Sequence, residues 1–424
     1  MAGMSSLALQ VIPLASVCQG DSDAVAKATA VLVSLVDRAL AYPGDRPDNL
    51  RPASRRNGNG RLNRRGLFGL RALGYTPVPT VEHAHCAAPR GCRRCVDTCP
   101  HAALELDGDA IEVRREGCSG CGRCVAECPQ RTIDMPGWSA GEIETQVNAL
   151  LGESPGRPLA YLCADSPVPG GRWLPVRVRC ASTLPAAAIL GPLAVGAPAV
   201  ALAPCGTSCD ASQPDARLAR IDYYRSLLVA AGQDPERVGV LGTQRAETAA
   251  GTLAPLPGDA APAPLRIFGR GADARAVLAL SARLGNSQFR LEHPASPLGM
   301  VAFETQACTT CGVCAGVCPT AAIVCEADAG TISLRFDPRL CTRCGECLAR
   351  CPEWYAGAIT LEPVTDVAEL GRGERQVARA ERKLCRRCGA HVASSRVLTR
   401  VAAVLGDQYR PEIMAELCPS CRWA

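Results

Sequence analysis

Residues 308–319 read CTTCGVCAGVCP and residues 341–352 read CTRCGECLARCP. Each run is C-x2-C-x2-C-x3-C-P, a density of thiols that bears on metal and electron chemistry before anything else. Three thiolates this close can wrap three irons of an iron–sulfide cubane, but the same loop cannot bend to present a fourth. The cysteine before each proline is therefore expected to reach across to the centre held by the other run. Upstream, Cys118, Cys121, Cys124 and Cys128-Pro129 repeat the pattern. Cys86, Cys92, Cys95 and Cys99-Pro100 follow it with five residues, not two, after the first cysteine. A longer loop still delivers Cys86, with His83 and His85 as competing ligands. Zinc or disulfides are the alternative chemistry for these runs.

The four runs and the segments around them resemble bacterial-type two-[4Fe-4S] ferredoxins, once over block one and once over block two. In block two the resemblance implies one cluster on Cys308, Cys311, Cys314 and Cys351, and another on Cys341, Cys344, Cys347 and Cys318. Carried to block one, it implies a cluster on Cys86, Cys92, Cys95 and Cys128, and another on Cys118, Cys121, Cys124 and Cys99. HAALELDGDAIEV (101–113) and TAAIVCEADAGTISLRF (320–336) each read as a short helical turn and then a hairpin with Gly or Asp at its tip. Cys325 falls outside the ligand spacing and reads as a free, packing thiol.

Between the blocks, LAYLCAD (159–165), LPVRVRC (174–180), PAVALAPC (198–205) and VGVLG (238–242) read as strands. LPAAAILGPLAVGA and residues 214–232 read as the intervening helices. That alternation predicts a parallel sheet, with Cys163, Cys180, Cys205 and Cys209 near strand carboxyl ends, where such sheets bind ligands. The stretch resembles the delta iron–sulfur subunit that links methyl-viologen-reducing hydrogenase to heterodisulfide reductase. The resemblance implies a [2Fe-2S] cluster on those four cysteines. The paired cysteines expected near Cys163 are here one, and a domain kept as a docking scaffold is the alternative. In LRIFGRGADARAVLALSARLG, followed by FRLE, Gly269, Gly271 and Ala274 come after an expected strand and Glu292 ends the next one, imitating a dinucleotide fingerprint whose helix amino end would hold a pyrophosphate.

Cys385-x2-Cys388 and Cys418-x2-Cys421 are two knuckles spaced for tetrahedral zinc. A mononuclear iron or a further cluster is the alternative there, and His391 could replace a weak ligand. Residues 391–405 between the knuckles read as a helix.

A chain of 424 residues is long enough for several domains. The pattern divides it into an amino-terminal helical and linker segment (1–75), a dicluster domain (76–137), an α/β domain (138–300), a second dicluster domain (301–365) and a four-cysteine metal-binding domain (366–424). The expected class is a multidomain α+β and α/β protein: two ferredoxin-like domains flanking a parallel sheet, with a zinc-ribbon-like end. In the first segment a strand at 7–14, a helix at 22–41 and a flexible linker at 44–66 are expected. The net charge of +5 comes from arginine, with Lys27 and Lys383 the lysines. No basic stripe interleaves with aromatics, so nucleic acid is not the expected partner. No apolar run is long enough to cross a bilayer. Arg64-Arg65 before GLFGL imitates a twin-arginine signal, but Arg71 interrupts its apolar core, and a cytoplasmic location is expected.

No acid–base pair, activated nucleophile, pterin or flavin site is apparent, so substrate chemistry is assigned to a partner rather than to this chain. The expected function is an electron-transfer protein or subunit relaying electrons through four [4Fe-4S] clusters. Its redox partner would be a larger oxidoreductase, of hydrogenase, formate dehydrogenase or disulfide reductase type. Two alternatives stand beside it. The tandem clusters and the SRR and NRR arginines resemble ferredoxin-type accessory proteins of periplasmic nitrate reductase, implying a maturation factor. The Gly269 motif would make a nucleotide-dependent reductase.

Overall fold

The computed structural model describes residues 50–52, 75–136, 138–163, 166, 169, 172–204, 214–259 and 264–423. The strand expected at 7–14 and the helix at 22–41 lie outside the described residues. Within the expected linker, β1 (Leu50–Pro52) pairs antiparallel with β2 (Tyr75–Pro77). Arg51 and Thr76 each precede a proline, which biases both toward extended backbone. The chain forms two compact units, Met1–Pro89 with Arg93–Asn286, and Arg90–Cys92 with Ser287–Ala424.

In the first unit, β3 (Thr80–Val81) pairs with β6 (Ile133–Asp134), and β4 (Leu104–Asp107) with β5 (Ala110–Val113) as a hairpin. Gly108 turns that hairpin at φ 57°. A parallel four-stranded sheet follows in the order β10-β9-β7-β8: β7 is Leu159–Cys163, β8 Leu174–Val178, β9 Val200–Ala203 and β10 Val238–Val240. Every residue of β7 is buried, as a strand covered on both faces must be. Helix Ala186–Val195 is apolar almost throughout and packs on this sheet, where the Tyr161 hydroxyl donates to Ala188 O at 2.8 Å. Helix Ala140–Glu153 begins in a capping box between Ser139 and Glu142.

The dinucleotide reading of Gly269 does not survive. Helix Ala272–Leu284 forms behind Gly271, but Leu265–Ile267 is not a strand. Asn148 takes its ladder role: the Leu265 N–H donates to Asn148 Oδ1 at 2.7 Å and Asn148 Nδ2 to Leu265 O at 3.1 Å. Glu292 ends β11 (Arg290–Glu292), which pairs antiparallel with β16 (Val364–Asp366) in the second unit. No βαβ unit connects the glycines to that acid.

In the second unit, β12 (Met300–Phe303) pairs with β15 (Ile359–Glu362). β13 (Ile323–Ala327), β14 (Thr331–Phe336), β17 (Arg375–Leu384) and β18 (His391–Ser394) form one antiparallel sheet in the order β13-β14-β17-β18. The carboxyl-terminal segment is thus joined by backbone hydrogen bonds to the β13–β14 hairpin. Residues 391–394 are strand, and the helix expected from 391 covers Ser395–Leu405, capped by Ser394. No helix among the described residues is long and apolar enough to cross a membrane.

Candidate metal centres

The second unit presents its eight block-two cysteines on two matching loops. Thr310 and Arg343, the second residue after the first cysteine of each run, both adopt the left-handed conformation at φ 53°. Gly312 and Gly345, directly after the second cysteine, stand at φ 81° and start the short helices Val313–Val317 and Glu346–Ala349. Such alternation turns successive backbone N–H groups into a concave nest for negative charge. The Thr310 N–H donates to Cys308 Sγ at 3.4 Å. Cys314, Cys347, Cys341 and Cys351 likewise receive the N–H groups of Ala315, Leu348, Arg343 and Glu353. The αL residues were not legible from residue type at Thr310 and Arg343, because neither is glycine; the matching spacing of the two runs was the available signal.

Cys308, Cys311, Cys314 and Cys351 line one cavity, with Phe303, Leu334 and Ile359 among its apolar walls. Burial pushes the Cys351 thiol up, and Cys311 and Cys308 of the other run add to that shift. Reciprocally, burial pushes Cys341 and Cys347 up to about 12, and Cys344 and Cys318 both add to each shift. Burial also drives the Cys314 thiol far up, with Cys311, Cys308 and Cys347 adding. Buried thiols that repel one another's ionised forms fit a site where iron supplies compensating positive charge, since the thiolate is the metal ligand. Cys325 is exposed on β13. Its sulfur lies beside Gly312, where an added Cβ would sit 3.3 Å from it.

Block one repeats the arrangement with a departure. Gly120 (φ 66°) and Gly122 (φ 80°) occupy the left-handed positions between Cys118 and Cys124, and the Gly120 N–H donates to Cys118 Sγ at 3.3 Å. Burial pushes Cys124 far up, followed by Cys121, Cys118 and Cys95. Cys95, Cys124 and Cys128 share a buried cluster with Leu104 and Ile111, and Cys86 and Cys99 pack against it. Cys99 also packs beside Cys118. The Ala103 N–H donates to Cys99 Sγ at 3.3 Å, and the Thr132 N–H to Cys128 Sγ at 3.4 Å. Cys92 lies in the Arg90–Cys92 segment that groups with the second unit. Its run has no left-handed residue between Cys92 and Cys95. His83 and His85 are exposed, and His85 Nδ1 contacts Glu82 Oε1 at 2.8 Å.

In the parallel sheet, Cys163 ends β7 and Cys180 lies two residues beyond β8. Both are buried, and the Cys163 thiol together with burial pushes the Cys180 thiol far up. Cys205 and Cys209 lie outside the described residues.

Near the carboxyl end, the Sγ atoms of Cys385, Cys388, Cys418 and Cys421 all lie within 4.8 Å of one another. Cys388 and Cys418 stand 3.6 Å apart. Tetrahedral zinc with Zn–S near 2.3 Å spaces its sulfurs by about 3.8 Å, so the donor set fits a single ion. Among the described residues, this is the group of potential ligands that converges closely enough for one ion. His391 is outside that group and faces Arg382 Nε at 3.4 Å. Backbone N–H groups, first that of Cys418, hold the Cys385 thiol down at about 6.

Residues 90–132 and 307–355 match a family model described as a 4Fe-4S dicluster domain, and residues 333–394 match a second model of the same description. The chain carries 4Fe-4S dicluster domains in tandem, which points to an iron–sulfur electron-transfer role. The matched segments leave out residues 138–300, so the likeness to the hydrogenase delta subunit gains no support from them. No curated protein matches the chain.

Proposed function

We propose that this protein relays single electrons through four [4Fe-4S] clusters to or from a partner oxidoreductase of hydrogenase, formate dehydrogenase or disulfide reductase type. The observation that carries the reading is the shared cavity of Cys308, Cys311, Cys314 and Cys351, a set that joins the two runs. Cys341, Cys344, Cys347 and Cys318 would hold the second cluster of that unit. Cys118, Cys121, Cys124 and Cys99, and Cys86, Cys92, Cys95 and Cys128, would hold the other two. A cubane accepts or gives one electron with little rearrangement, because charge spreads over its irons and sulfurs.

The chain's own contribution is positional. Apolar walls from Phe303, Leu334 and Ile359 limit water at one site, and the N–H groups directed at the sulfurs set how readily negative charge is accepted. Cys385, Cys388, Cys418 and Cys421 would hold structural zinc, pinning the β17–β18 segment. The test is anaerobic metal and sulfide analysis with EPR of the dithionite-reduced protein. About sixteen irons with matching acid-labile sulfide, and one zinc, are expected per chain. Colourless protein without sulfide would overturn the reading.

A further inference from the structure

We propose that Cys163 and Cys180 form a redox-active dithiol–disulfide pair, coupled to the iron–sulfur centre assigned to Cys118, Cys121, Cys124 and Cys99. The coupling rests on the functional reading above; the pair itself does not. Cys163 is the last residue of β7 and Cys180 lies two residues past the adjacent parallel β8, and the two are 2% and 4% exposed. A cysteine used only for packing presents its sulfur to apolar neighbours. Here the Cys163 sulfur lies against the turn that carries Cys180, and the backbone of that turn donates to it. The Ala181 N–H donates to Cys163 Sγ at 3.2 Å, while the N–H and hydroxyl of Ser182 donate to Cys180. Against these donors, the neighbouring Cys163 thiol and burial hold the Cys180 thiol well above its ordinary range, so reduction of a disulfide here leaves neutral thiols.

The same turn touches the cluster loop of block one. Arg179, next to Cys180, donates through Nε to Gly120 O at 2.7 Å and through Nη2 to Ser119 O at 3.3 Å. A Cβ on Gly122 would stand 3.7 Å from Thr183 Cγ2. The segment Ser119–Gly122 lies between and beside cluster ligands Cys118 and Cys121. Burial denies an external thiol the direct approach that thiol–disulfide exchange requires, whereas electrons need only proximity. In the reductive direction the Sγ–Sγ bond breaks as two electrons arrive, one at a time, from the one-electron centre beside it. Two protons are taken up, and two thiols result. The reverse returns two electrons and two protons.

The experiment uses the whole chain, purified anaerobically, oxidised with ferricyanide or reduced with dithionite, then denatured in alkylating reagent and mapped by peptide mass spectrometry. In the oxidised sample the peptides of Cys163 and Cys180 are expected joined, at their summed mass less two hydrogens. After dithionite they should be separate and alkylated, and Arg179→Gln should slow that conversion while iron content holds. Alkylation of both thiols in the oxidised sample would overturn the proposal. So would loss of two irons and of a [2Fe-2S] signal in a Cys163→Ala/Cys180→Ala variant, which would make the pair ligands. Joined peptides in a chain without iron or sulfide would overturn the coupling and the electron-transfer reading together, and leave the disulfide standing.

Discussion

Single atoms decide most of the chemistry in this chain. Cys314 is buried among Cys308, Cys311 and Cys347, so Cys314→Ser is expected to lower iron content by about one cubane and to destabilise block two. Unchanged iron in that variant would mean that the ligand assignment is wrong. Gly312 carries both a left-handed φ of 81° and the Cys325 sulfur against its bare face. Gly312→Ala should cost about 1–2 kcal/mol from backbone conformation alone, read as a lower thermal midpoint together with faster cluster loss in air. Cys385 gives the pH dependence. Its thiol is held at about 6, below its ordinary value. A depressed acid stabilises the folded form fully above the pKa of the unfolded thiol, and that contribution is lost as pH falls through about 6. Zinc held by these thiols, as proposed, would therefore be released increasingly as pH is lowered through that range and stay bound at pH 8, as followed with a chromogenic chelator.

At the level of elements, the centres are held by turns whose other ends are anchored far away in sequence. Ser394 caps helix Ser395–Leu405 by accepting the Val397 N–H at 3.1 Å, and its hydroxyl donates to Thr309 O at 2.6 Å, inside the loop between Cys308 and Cys311. Arg396 Nη1 donates to Cys308 O at 3.1 Å. Ser394→Ala removes a cap and a buried hydrogen bond together, at about 1–2 kcal/mol. It should broaden or shift one block-two EPR signal while leaving the others in place; an unchanged spectrum would separate the helix from that site. Spacing made the four cysteine runs legible, turn residues both hairpins, and strand–helix alternation the parallel middle sheet, because those patterns are local and periodic. What stayed hidden was settled at long range. Leu265 looked like strand because it is apolar after a loop, yet Asn148 satisfies its backbone. His391–Ser394 looked helical, yet β17 recruits it as a fourth strand.

For the chain as a whole, each unit joins cysteine-bearing loops to a four-stranded sheet of different character: parallel in the first, antiparallel in the second. In the second unit β14 lies between β13 and β17, with Thr331–Phe336 paired on both sides. Cys385 and Cys388 follow β17 directly, so if they hold zinc as proposed, its chelation would lower the unfolding temperature of the second unit and leave the first unchanged. Calorimetry of the intact protein, with and without chelator, measures both. The pairing of β14 with β17 also has a consequence for how the protein is made. A ribosome releases the β13–β14 hairpin well before the strand that covers it, so one flank of Thr331–Phe336 waits with its amide groups open. During that interval a neighbouring nascent chain offers the same hydrogen bonds, so crowding on a polysome should promote aggregation through this edge.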